Sequence, residues 1–159
     1  MVRLSAPLGG HFSKKVLSDE LDWTSLASSL GPHLTVGDLL HYDTRRAPDA
    51  QALQDRLLEL ASHYNQIRAA WQGPLRVVAA FCPEPINRQI CGSEGSYHAQ
   101  GMALDLVPLD GDLDHFHRWL MKRWSGGLGI GKGSVHIDTR LRGAFAPRAN
   151  VRPAFLFGY

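Results

Sequence analysis

The longest regular pattern of apolar positions lies in the first half of the chain. Leu53, Leu57, Leu60, Tyr64, Ile67 and Trp71 recur at alternating spacings of four and three, which lines one face of a helix. The spacing predicts a helix over residues 49–71, with Asp49 at its start and Gly73-Pro74 ending it. His63 stands off this stripe and reads as a surface histidine. Leu113, Phe116, His117, Leu120 and Trp124 predict a second helix, over 113–124, capped by Asp110 or Asp112. Trp23, Leu26, Ala27 and Leu30 suggest a short helix over 22–30 closed by Gly31-Pro32, and 36–42 a helical turn.

Strand patterns fill much of the rest. Residues 75–81 form a short apolar, partly β-branched run between Pro74 and Pro83, the signature of a buried strand. Further short strands are expected over 102–107, 128–130 and 135–140. In the last of these, period two puts Ser134, His136 and Asp138 on one face and Val135 and Ile137 on the other. Together these elements predict an α+β domain, a small antiparallel sheet flanked by helices. Residues 1–32 read as an N-terminal packing arm and 143–159 as an irregular tail rich in arginine, proline and aromatics.

Composition narrows the class. A chain of 159 residues suits a single domain with a core of ordinary size. A net charge of +2 gives no general pull toward nucleic acid or an anionic surface, and no apolar run approaches membrane-spanning length. The first ten residues hold no secretory apolar stretch, so no signal peptide is visible. The expectation is a protein that acts where it is made, or reaches a cell envelope by release, processing or phage delivery. Cys82 and Cys91 are expected to be reduced thiols.

Chemistry gathers in the second half. His98 follows a glycine-containing loop, Gly101 permits a backbone bend, and Asp105 lies on the strand after it beside the small Ala103. With His136 these make two imidazoles and one carboxylate, the donor set a catalytic zinc site takes from protein while leaving a fourth position to water. Ser96 can fix the loop before His98 through a side-chain to backbone hydrogen bond. Asp138, on the His136 face, can either contact a water in the site or orient the imidazole. Two other features carry less. His115 and His117, two apart on a helix, do not face one another. Gly129, Gly131 and Gly133 suit a tight hairpin or a substrate-edge loop, since no helix bearing Lys-Ser/Thr follows them.

The run from Ser96 through His98, Gly101 and Ala103 to Asp105, followed by Gly127-Leu128-Gly129-Ile130 and His136-Ile137-Asp138-Thr139-Arg140, resembles the M15 family of zinc D-alanyl-D-alanine peptidases. The likeness extends over about 34–142 and includes an entry segment over 32–40. It implies a DD-peptidase, hedgehog-like fold, Zn2+ held by His98, Asp105 and His136, and Asp138 as a catalytic residue. It further implies hydrolysis of peptide bonds next to D-amino acids in peptidoglycan stem peptides or cross-links, as carboxypeptidase or endopeptidase. Asn87 matches a substrate-side asparagine of the family, with Arg88 and Ser96 the other substrate-binding candidates. Two departures stand out. Cys82 occupies the place of an arginine that holds or polarises substrate, and Ser134 and Gly133 stand where relatives carry a histidine or glutamate base. Two alternatives accompany this reading: a non-catalytic, zinc-stabilised module that binds cell wall or protein, and a phage lytic endopeptidase.

Overall fold

The strand register explains how this sequence separates a core from a site. In the computed structural model, which describes residues 21–90, 92–148 and 152–158, strands β3 (Leu75–Ala79), β4 (Ala103–Pro108), β5 (Gly127–Ile130), β6 (Val135–Asp138) and β7 (Phe155–Gly158) form one sheet in the order β3-β4-β6-β5-β7. Leu104 pairs with Ile137 and Leu106 with Val135 across β4 and β6, and all four are fully buried. Because side chains alternate along a strand, the intervening pairs, Asp105 with His136 and Ala103 with Asp138, lie on the opposite face.

Two helices cover the apolar face. Helix α2 (Gln51–Trp71) buries Leu57, Leu60, Tyr64 and Ile67, and helix α4 (Leu113–Met121) buries Phe116 and Leu120; all six join the strand residues in a single core cluster. Burying each such side chain stabilises the fold by roughly 1.5–3 kcal/mol. The Tyr64 hydroxyl, which burial would otherwise leave unsatisfied, donates to the Leu75 carbonyl at 2.8 Å and ties α2 to β3. Before α2, a two-stranded ribbon, β1 (Ser29–Gly31) and β2 (Leu34–Thr35), leads into the short helix α1 (Val36–Leu40). Thr35 and Asp38 close a reciprocal capping box at the start of α1.

Several expectations are corrected. Residues 22–28 form turns rather than a helix, and 29–31 form a strand. There the Asp22 carboxylate accepts from the backbone and hydroxyl of Thr24, and Ser25 and Ser28 close successive i to i+3 turns; short polar side chains of this kind compete with helical hydrogen bonds. Asp49 does not cap α2, whose N-cap is Ala50 without a side-chain bond, and Gln72 takes the left-handed position at the other end, with φ 62°. His63 is buried, edge-on to Trp124 at 5.3 Å, because α2 buries a band wider than the predicted stripe. The sheet is mixed, not purely antiparallel: β7, within the stretch read as irregular, runs parallel to β5. The N-terminal arm up to residue 20 lies outside the described residues, as does Cys91.

Candidate metal centre

Each cluster residue is placed by a different local device. His98 sits in a compact turn in which its own amide donates to the Ser96 hydroxyl at 3.2 Å and the Gly101 amide to the His98 carbonyl at 3.2 Å. Gly101 adopts φ +68°, a conformation that costs glycine little and other residues more. Arg56, on α2, donates to the Gln100 carbonyl at 3.0 Å and pins this turn to the helix layer. Asp105 and His136 are direct cross-strand partners, so the sheet itself holds the carboxylate against the imidazole.

One carboxylate oxygen is the meeting point. Asp105 Oδ1 lies 2.8 Å from His136 Nδ1 and 3.4 Å from His98 Nε2. The two rings stand edge to face at 5.1 Å. Each imidazole has its outer nitrogen occupied: His98 Nδ1 is 2.7 Å from the Ala80 carbonyl, and His136 Nε2 is 3.1 Å from Asp138 Oδ2. A carbonyl and a carboxylate can only accept, so His98 Nδ1 donates to Ala80 and protonated His136 can donate to both Asp138 and Asp105; loss of the inner proton would free His136 Nδ1 for a metal while Asp138 holds the outer one. Candidate ligand atoms of His98, Asp105 and His136 all lie within 4.8 Å of one another. Among the described residues this is the only such group of three or more. Two imidazoles held from behind and a central carboxylate are what a tetrahedral N,N,O site needs from protein.

The electrostatics follow from the contacts. Burial pushes the Asp105 carboxyl upward, but hydrogen bonds and charge from His136 and His98 outweigh it and hold the group down at about 2. Burial pushes His136 downward, and bonds from Asp105 and Asp138 reverse that and raise it. Asp138 is lowered despite its burial by His136 and by the Arg140 guanidinium.

Asp138 occupies the orienting position of the two considered for it. It is fully buried, and its oxygens accept from His136, from the Gly127 amide at 3.2 Å and from Arg140 Nε and Nη2 at 2.7 and 2.6 Å. It does not line the cavity and meets the cluster through its contact with His136. Gly127 makes room for this carboxylate, since a Cβ there would overlap Asp138 and crowd Arg140. Gly129 likewise clears space for the Phe157 ring, which lies 5.5 Å from the His136 ring.

A cavity of about 340 Å³ opens over the cluster, walled by Ser93, by the turn from Gly95 to His98, by Asp105 and His136, and by Arg140 and Phe157. Ser96 therefore reaches the site both as a wall residue and as the acceptor that fixes the His98 loop. Asn87 and Arg88 do not line the cavity. Both lie on helix α3 (Glu84–Gln89). Asn87 is buried, donating to the Ser93 carbonyl at 3.1 Å, so it shapes the loop from behind. Arg88 faces solvent and pairs one helical turn back with Glu84 at 3.3 Å. Cys82 is buried, with its amide on the His98 carbonyl at 3.3 Å, and its thiol is not in the cluster. His115 and His117 form no metal group.

Sequence reasoning missed Tyr97, Arg140 and Phe157. Tyr97 and Arg140 lie inside the motifs already quoted, and continuing the period of two from Asp138 would have brought Arg140 to the same face. Phe157 had no local signal, because it arrives on the parallel edge strand.

An α+β domain that converges two imidazoles and a carboxylate beneath an open cavity has the donor set of a mononuclear metal hydrolase. The family profile described as Peptidase M15 matches residues 32–138. The chain belongs to that family, whose members are metal-dependent peptidases, typically with zinc. No curated protein matches the chain.

Proposed function

We propose that this chain is a zinc peptidase that hydrolyses peptide bonds next to D-amino acids in peptidoglycan stem peptides or cross-links, with carboxypeptidase-like action on a hedgehog-like DD-peptidase fold. The observation that carries the reading is the placement of the two rings: both imidazoles are held from behind, and His98 Nε2 and His136 Nδ1 face the same Asp105 oxygen. In this reading His98, Asp105 and His136 are the ligands. A zinc ion held there supplies Lewis-acid polarisation of a scissile carbonyl and a water acidic enough to ionise near neutral pH. Asp138 keeps His136 in the ligating tautomer, and Ser96 keeps the His98 loop in place.

A second reading rests on the cavity walls. Apart from the three cluster residues, no described wall residue of the cavity is an acid or a histidine, and Ser134 and Gly133 replace the family's usual base. That composition favours a binding module stabilised by zinc. Digestion of purified peptidoglycan with zinc-loaded protein, read by liquid chromatography and mass spectrometry, separates the two. The peptidase reading expects new stem-peptide fragments that disappear in Asp105→Ala; zinc bound at one per chain with no fragment released supports the module.

A further inference from the structure

We infer that Arg140 anchors the free α-carboxylate of the peptide in this cavity. The inference rests on the peptidase reading and narrows its substrate to peptides with an unblocked C-terminus.

Arg140 is held on one edge and over its faces. Its Nε and Nη2 donate to the two Asp138 oxygens at 2.7 and 2.6 Å. Its guanidinium carbon lies 4.3 Å from the Tyr97 ring centre and 5.0 and 5.5 Å from those of Phe155 and Phe157. A guanidinium carries five N–H donors in a rigid plane. Asp138 takes two of them, and among the described residues no acceptor meets Nη1. The remaining edge, Nη1 with the outer hydrogen of Nη2, is the pair of parallel donors that fits a carboxylate. Arg140 lines the cavity beside His98, Asp105 and His136, with its side chain 19% exposed.

Other cations do not compete for this task. Arg88 is exposed on α3, and Arg46 donates to the Phe81 carbonyl at 3.4 Å; neither lines the cavity. Among the described residues, Arg140 is the only lysine or arginine in the cavity walls. Pinning by Asp138 and the aromatic rings fixes the fork before a ligand arrives, so little side-chain freedom is lost on binding.

The test is calorimetric, with zinc-loaded and metal-free protein titrated with acetyl-D-alanyl-D-alanine and with its C-terminal carboxamide. The free acid should bind about tenfold or more tightly than the amide, the scale of a charge-assisted pair. In Arg140→Lys the ammonium stays on Asp138 but has no second edge, and the preference should fall to about twofold or less. Melting temperature and zinc stoichiometry report whether that variant is intact. Independently of any variant, the Arg140 guanidinium NMR signals of wild-type protein should shift with the acid and not with the amide. Equal binding of acid and amide by wild type, or a full preference kept in intact Arg140→Lys, overturns the inference. A strong acid preference without cleavage leaves the anchor standing and removes the peptidase reading; equal cleavage of both peptides does the reverse.

Discussion

His136 Nε2 meets the Asp138 carboxylate at 3.1 Å across one intervening residue, and the same carboxylate is clasped by Arg140. This contact fixes which imidazole nitrogen faces Asp105. Asp138→Asn keeps the shape and removes the charge. Zinc affinity should fall about 10–100-fold, the usual effect of losing such a support, as measured by competition with a chromophoric chelator. Unchanged affinity would show that His136 is oriented by something else.

Gly127 faces Asp138 across β5 and β6, where a methyl group would overlap the carboxylate. Gly127→Ala should cost about 1–3 kcal/mol, the range for overpacking, and weaken zinc binding with it. Gly133 makes the contrast. A Cβ there meets nothing within 4 Å and its φ is not positive, so Gly133→Ala should be neutral or stabilising by about 0.4–1 kcal/mol. Chemical denaturation of both variants measures the pair.

The histidine and the carboxylates set opposite pH limbs in metal-free protein. His136 has a raised value when folded, so its contribution is complete below the unfolded value of about 6.5 and is lost as pH rises through the folded one. Asp105 is depressed to about 2, so its contribution holds above the unfolded value of about 3.9 and disappears only as pH falls toward 2. Melting temperatures in chelator should therefore decline from about pH 6.5 upward. The stabilisation added by zinc should grow over the same range, because metal and proton compete for His136. Asp105→Asn should flatten the metal-free decline.

Local patterns made the fold's centre legible. The α2 stripe and the alternation in β4 and β6 needed no distant information; a strand pair brings Asp105 against His136, and His98 joins them from its turn. What failed was set at longer range or by competing local bonds. β7 pairs with β5 across the chain terminus, so nothing near Phe155 announces it. Arg140 stacks on Tyr97, 43 positions earlier, a contact that only the folded sheet creates. Asp22 and the serines after it have helical apolar spacing nearby, yet their side chains and turns take the backbone bonds a helix would use. Arg88 was attractive by proximity in sequence to position 82, but a helical turn carried it to solvent.

The most direct measurement follows hydrolysis of two defined stem pentapeptides, one ending in D-alanyl-D-alanine and one in L-alanyl-L-alanine, by metal-free, zinc-reloaded and Asp105→Ala protein. The account predicts release of terminal D-alanine by the zinc-reloaded wild type alone, with the L-peptide intact. Cleavage that persists in chelator or in Asp105→Ala, or no cleavage by fully zinc-loaded protein, would contradict it.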